Sequence, residues 1–481
     1  YCLMKHGELN GLCPGSMPRR SFLQIGGAAT GSLGLSSLLK ARDLSPSAGK
    51  NLEDTAVIFV WLPGGAPHME TYDMKPDAPD THRGEFNPIR TNVPGIEVCE
   101  LLPMHAKCAD KFNLIRSVHH TFSDHGGGHK RFLTGRVPKE PTGFVNDYPC
   151  VGSMAFKALE GERDTRGMPG YMALGNGRVN GIDTFSFGSA YLGAETHPFA
   201  ISADPSEKGF KVENIDIDKS LADRLNDRTS LLRHFDHMRR DVDNSGVFNS
   251  MDVFNQRALS MMTSENVRDA FDLSKESQRT RDRFGNHNWG TRALLARRLV
   301  EGGANWVTVV MENPYGDTGV PWIDEGAYNW DSHAVNAHIF KDSKVRLPIY
   351  DKVITAMVED LYERGLDRKV MLVVTGEFGR TPRISIGKGS KTKVDQPGRD
   401  HWPRAMSMLV SGGGMRTGQV IGATDSKGEE PVERPLSPND LWASVYQHLG
   451  IDYNLAFPDH AGRPMPILPN GSPIQELLPV T

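Results

Sequence analysis

An α/β fold, with a mostly parallel sheet covered by helices on both faces, is what this chain predicts, and three observations predict it. Apolar runs rich in β-branched and aromatic residues recur at 55–62, 112–118, 305–311, 369–375 and 406–411. The first is continuously apolar, the pattern of a strand buried on both faces. Helical segments at 289–302 and 345–365 directly precede two of these runs, and repeated helix-then-strand units build a parallel sheet. The 481 residues, 38% hydrophobic and 24% charged, suffice for a large core in a globular protein and exclude a fibre or a disordered chain.

Taken in order, residues 17–41 carry Arg19-Arg20-Ser21-Phe22-Leu23 ahead of a weakly apolar stretch rich in Gly, Ala and Ser. This predicts a twin-arginine export signal at 1–41. The stretch is too short and glycine-rich for a stable membrane span, so no span is expected after its removal. That route carries proteins already folded, often with a metal loaded, to the periplasm or beyond. A polar linker at 42–54 then leads into one domain over 55–481. The chain carries a net charge of −4, and without 1–41, which hold four Lys/Arg and one acid, it is more acidic still. Nucleic acid, which wants a basic face, is not an expected partner. Three cysteines remain beyond the leader, Cys99, Cys108 and Cys150. An odd number is no disulfide framework, and buried thiols are expected, with a Cys99–Cys108 bridge as the alternative.

The run at 55–62 ends in Pro63-Gly64-Gly65-Ala66-Pro67, and the run at 112–118 leads straight into His119, His120, His125 and His129. In 345–365, Leu347, Ile354, Val358 and Leu361 recur near helical spacing. The segment 437–449 reads as a helix capped by Ser437 with Pro438 in its first position. Residues 213–287 are charged and rich in Arg, Asp and Met, and are expected to form a helical insertion packed on the sheet.

Imidazoles and carboxylates from distant loops, several of them after strands, point to a divalent cation. Each supplies a lone pair, and the acids offset the metal's charge. The candidates are His68, His125, His129, Asp331-Ser332-His333, Glu377 and Asp400-His401. Parallel α/β sheets gather ligands at their carboxyl edge, which is where Glu377 would stand; a salt bridge to Arg380 is its alternative. A helix starting near Gly126 would put His125 and His129 one turn apart.

These pieces together resemble a family. The twin-arginine leader, Gly64-Gly65-Ala66-Pro67-His68 with Thr71-Tyr72-Asp73, Leu133-Thr134-Gly135-Arg136, Trp330-Asp331-Ser332-His333, Thr375-Gly376-Glu377-Phe378-Gly379-Arg380-Thr381-Pro382 and Gly398-Arg399-Asp400-His401-Trp402-Pro403 look like the exported bacterial family catalogued as domain of unknown function 1501. That family is common in planctomycetes and is placed in the alkaline phosphatase and sulfatase superfamily. The resemblance runs from about residue 15 to the C-terminus and implies a three-layer α/β/α sandwich. It also implies Asp331, His333 and His401 as metal ligands, with Glu377 carried over. Counting back from Arg136, the sulfatase nucleophile position falls on His125, with neither cysteine nor serine there; Gly64-Gly65 replace an acidic pair, and Phe378 stands where a histidine is usual.

The expectation is therefore an exported metal-dependent hydrolase of phosphate or sulfate esters lacking the usual nucleophile. Zinc or manganese, before calcium, would be held by Asp331, His333, Glu377 and His401, with His68 and His129 as further metal ligands. His125, Ser123 and Arg136 are the catalytic candidates, Ser123 as the nearest hydroxyl and Arg136 as an oxyanion clamp. The substrate would be a small-molecule or polysaccharide ester. The alternative is an inactive, metal-stabilised binding or scaffold protein of the same fold acting on surface polysaccharide.

Overall fold

The computed structural model describes residues 55–175, 186–207, 210, 261, 264–316 and 319–479. The export segment, the linker and most of 213–287 lie outside those residues. Among the described residues, eight strands form the main sheet: β1 (Ala56–Trp61), β2 (Phe112–Val118), β3 (Tyr171–Leu174), β4 (Phe199–Ile201), β5 (Trp306–Val310), β6 (Val370–Thr375), β7 (Met406–Gly412) and β8 (Gln419–Ile421). Their order is β8-β2-β7-β6-β1-β5-β3-β4. β7 runs antiparallel to both neighbours, and every other pairing is parallel.

Among the described residues, the longer helices are α1 (His125–Thr134), α2 (Val151–Leu159), α3 (Asn288–Glu301), α4 (Ile339–Glu363) and α5 (Pro438–His448). The alternation of side chains along a strand sorts them into two layers. Ile58 and Val60 of β1 pack with Leu295 and Leu299 of α3 and Ile354 and Val358 of α4. Val57, Phe59 and Trp61 face the other way, onto Phe132 of α1, Met154 of α2 and Trp442 of α5. All six residues of β1 are buried, which is why the run lacks polar alternation. At about 1.5–3 kcal/mol for each large apolar side chain buried, a polar residue anywhere in it would be costly.

The long strands fall where the apolar runs place them. β3, β4 and β8, of four, three and three residues, are too short for periodicity to announce. α4 begins at Ile339, ahead of the segment read from the sequence, and continues through Pro348. The capping box of α5, Ser437 with Asp440, is present. Of the 213–287 stretch, the described part holds helices at Glu265–Phe271 and Gln278–Phe284. Cys99, Cys108 and Cys150 are buried free thiols, so the alternative Cys99–Cys108 bridge is not formed. Among the described residues, no helix is long and apolar enough to cross a membrane.

Candidate metal centre

Segments that follow β1, β2, β5 and β6 meet beyond the carboxyl ends of those strands, the edge where open α/β sheets gather their ligands. α1 brings His125 and His129. Its N-cap, Asp124, accepts hydrogen bonds from the Gly126 and Gly127 amides. The glycines are there for close approach: a Cβ on Gly128 would stand 2.8 Å from the Phe378 ring, and one on Gly126 only 2.4 Å from the Gly143 carbonyl oxygen. Gly64, at φ +105°, packs so tightly that a Cβ would fall 2.5 Å from the Asp331 amide nitrogen. It also donates its own N–H to Glu377 at 2.9 Å.

Asp331 is the hub. Its Oδ1 lies 3.1 Å from His333 Nε2, 3.1 Å from His401 Nε2 and 3.3 Å from His125 Nε2. The buried Arg380 guanidinium donates to the same oxygen at 2.7 Å. The two Nε2 atoms of His333 and His401 are 2.9 Å apart. Each ring is held from behind at Nδ1: His333 by the Asp400 carboxylate at 2.6 Å, His401 by the Ser123 carbonyl at 2.6 Å, and His125 by Glu377 Oε1 at 2.7 Å. Those partners only accept, so each Nδ1 carries the proton. With Nδ1 protonated, an imidazole in its neutral form turns an Nε2 lone pair toward the Asp331 oxygen. Lone pairs so crowded repel unless a positive charge sits among them. With ligand bonds of 2.0–2.1 Å, donors around a tetrahedral zinc stand about 3.3 Å apart, close to the spacings found. Imidazoles pinned by a carboxylate or carbonyl on the far nitrogen are the usual support of metal-ligating histidines. The donor set fits a divalent cation.

A second group lies deeper. Glu377 Oε1 is 3.2 Å from His129 Nε2 as well as 2.7 Å from His125 Nδ1, and both Glu377 and His129 are fully buried. The donor atoms of His125, His129 and Glu377 lie within 4.8 Å of one another, as do those of His125, Asp331 and His401. Phe378 forms a wall, its ring centroid 5.3 Å from that of His125 and 4.6 Å from that of His401.

The electrostatics follow from burial and these contacts. Burial alone would raise the Asp331 carboxyl, but Arg380 and the three imidazoles hold it far below the ordinary range. Glu377 is likewise kept well below its usual value despite burial, through His129 and His125. Burial works against the charged form of His125, yet its bonds to Asp331 and Glu377 win and its pKa is raised. His401 is pushed down to about 4 by burial, which outweighs Asp331.

Thus the structure brings together Asp331, His333, His401, His125, Glu377 and His129. His68 has no place in either donor group: its Nε2 bonds the Gly428 carbonyl at 2.9 Å, and burial lowers its pKa to about 4. Arg136 is engaged by the Pro466 carbonyl and by the Tyr148 ring, 5.0 Å away. Ser123 is exposed and contributes its backbone carbonyl. The alternative salt bridge of Glu377 to Arg380 is not what forms, since Arg380 pairs with Asp331. Sequence reasoning gave no role to Arg380 at Asp331, to the Gly64 amide, or to His120, whose Nε2 donates to the Glu377 carbonyl at 2.6 Å. Only a conspicuous run of motif residues around Glu377 hinted at the first.

The family described as "Protein of unknown function (DUF1501)" matches residues 54–478. No curated protein matches the sequence. Among solved structures, the chain is similar to the lipoteichoic acid synthase LtaP from Listeria monocytogenes, at 9% identity and TM-score 0.39 over 88% of this chain and 77% of that one. The phosphonate monoester hydrolase SpPMH from Silicibacter pomeroyi matches at 13% identity and TM-score 0.35, covering 84% of this chain and 74% of its own. The PsFucS1 sulfatase from Pseudoalteromonas sp. matches at 12% and 0.31, covering 86% and 70%.

Proposed function

The chain belongs to the DUF1501 family, and from its histidine cluster we propose that it is an exported, divalent-cation-dependent hydrolase of phosphate or sulfate esters. The observation that carries this is the convergence of three imidazole Nε2 atoms on Asp331 Oδ1, with every Nδ1 already committed to an acceptor. His125, Asp331, His333 and His401 would hold the ion, zinc or manganese by the mixture of imidazole and carboxylate donors. A bound cation would draw charge from the ester's oxygens and make a water a competent nucleophile.

The chain's own residues do the rest. Asp400, the Ser123 carbonyl and Glu377 fix the three rings, so no orientation is left to be found when substrate arrives. Arg380, wholly buried, neutralises Asp331 from behind and stays out of reach of solvent. Phe378 keeps one flank dry. His401 stands partly exposed at the mouth, where a small-molecule ester or an ester on a polysaccharide would approach. Water serves in place of a side-chain nucleophile. Burial raises the thiols of Cys99 and Cys108 to about 12 and that of Cys150 to about 11, which keeps them protonated and inert.

Metal analysis of the purified protein, with turnover of aryl phosphate and aryl sulfate followed with and without chelator, tests this. Bound zinc or manganese with chelator-sensitive turnover is expected. A metal-free protein overturns the proposal. Bound metal with no turnover on either ester would instead indicate a metal-stabilised scaffold.

A further inference from the structure

We propose that the hairpin 383–398 is a binding arm for a sulfated polysaccharide, holding the polymer beside the metal centre while one of its esters lies at His401. As a statement about substrate this rests on the function proposed above; as a statement about binding it is tested apart from turnover.

The arm grows out of the centre. Gly379–Arg380 pairs antiparallel with His401–Trp402, His401 opposite Arg380, and the chain between them runs out and back as the strands Ser385–Lys388 and Asp395–Gly398. Its inner face is fastened to the loop that carries Asp331 and His333. Gln396 Nε2 donates to the Ala334 carbonyl at 2.8 Å, and the Ser390 amide to the Val335 carbonyl at 2.9 Å. Gly398 approaches so closely that a Cβ there would collide with the Ala334 backbone. The arm is thus tied at its base to His401 and along its inner side to the residues that follow His333.

Its exposed side is basic and partly apolar. Arg383, Lys388, Lys391 and Lys393 are all exposed, and 383–394 contain no acid, although the whole chain has a net charge of −4. Asp395, opposite Lys388 in the strand pairing, and Asp324, near Lys391, balance half of this charge at most. Beside the cations stand Trp322, 41% exposed and with Lys391 Nζ 3.6 Å from its ring centroid, and the exposed Val335 and Ile386. A sulfated sugar matches both characters: its C–H face covers an indole, and its anions meet lysine. Three of the four cations are lysines, point charges spread along the arm, where a cluster of arginines would suit bidentate phosphate better. Lys388 is level with Asp395, six residues of mostly extended chain from His401, on the order of 15–20 Å at the rise of a strand. An ester held at His401 therefore meets these lysines only as part of a long molecule.

Fluorescence anisotropy of labelled dextran sulfate, titrated with the full chain, tests the arm. Binding that weakens with salt is expected. The combined change Lys388→Gln, Lys391→Gln and Lys393→Gln should weaken it at least tenfold with the unfolding midpoint unmoved, all three side chains being exposed. Trp322→Ala should weaken dextran sulfate severalfold and leave binding of long-chain polyphosphate, which has no sugar face, unchanged. Equal binding by the lysine variant overturns the proposal. So does polyphosphate that binds as tightly as dextran sulfate with Trp322→Ala without effect, or a preference for phosphatidylserine vesicles. Chelator-sensitive turnover of aryl sulfate without binding of dextran sulfate overturns the arm and leaves the hydrolase standing. Binding through the lysines by a chain that turns over no ester overturns the hydrolase and upholds the arm.

Discussion

Among the described residues, two buried clusters of histidine, carboxylate and aromatic side chains can be set side by side, and they differ in whether their acceptors are matched by donors. In the first, His105 sends Nδ1–H to Asp351 Oδ1 at 2.6 Å and takes the Tyr72 hydroxyl proton on Nε2 at 3.0 Å; Tyr72 in turn accepts from Tyr350 at 2.7 Å. Asp351 also accepts the amides of Met104 and His105 at 2.8 Å. Donors and acceptors alternate to the end of the chain, so the network is closed and pins α4 to the short helix Pro103–Lys107. In the second, the far nitrogens are as well satisfied, but the near ones crowd lone pairs around Asp331. The lesson is that a histidine beside an acid says little. Convergence of acceptors without protons between them separates a cation site from a structural knot.

The comparison breaks most directly at His401. Replacing it with Ala removes a donor from the cluster, so metal content should fall below half occupancy. Ester turnover should drop by more than the roughly 10–100-fold that loss of an outer partner costs, with the unfolding midpoint of metal-free protein nearly unchanged. Elemental analysis and kcat/KM check it; retained metal and turnover would put His401 outside the centre. The opposite pattern is expected at Asp351→Asn. All of the Asp351 contacts are N–H groups that need an acceptor, and an amide must aim its own NH2 at one of them. A buried donor is stranded, at a cost of about 1–3 kcal/mol, seen as a lower denaturant midpoint with metal stoichiometry unaltered.

Much of this was legible in the sequence, and the parts that were not share a cause. The five longer strands announce themselves because burial on both faces leaves a continuous apolar run, and Asp331, His333, Glu377 and His401 are marked by compact motifs of imidazole and acid near strand ends. His125 reads as a catalytic position only through the resemblance, by counting back from Arg136; that its ring faces Asp331 and Glu377 at once is settled by tertiary packing. His68 sits in an equally suggestive motif, yet its ring turns to the Gly428 carbonyl, 360 residues away in sequence. No local pattern encodes such a partner. Nor was it readable that the glycines of α1 admit the Gly143 backbone and the Phe378 ring.

Asp400 sharpens the contrast from the other side. It is exposed, and its carboxylate meets only the back of His333. Asp400→Asn should keep the protein folded and the ligand set whole while loosening one ring, lowering metal affinity by about 10–100-fold. Competition with a chelator of known strength measures this. An unchanged affinity would mean that His333 does not need to be held.

The smallest expected effect is at Tyr72→Phe, which tests the closed network where it should matter least to chemistry. Loss of the hydroxyl leaves His105 Nε2 without its donor and Tyr350 without its acceptor, both in the core. The aromatic packing of the ring remains, and so does the stacking of His105 on Tyr350, at 5.6 Å and 15°. One or two unmade hydrogen bonds, each worth about 0.5–1.5 kcal/mol net, should lower stability by about 1–2 kcal/mol. Metal content and turnover should match the wild-type protein, because no hydrogen bond of this network reaches Asp331 or Glu377. If Tyr72→Phe lowered metal affinity in step with stability, the two clusters would be one coupled unit, and the division between structural knot and cation site would have to be redrawn.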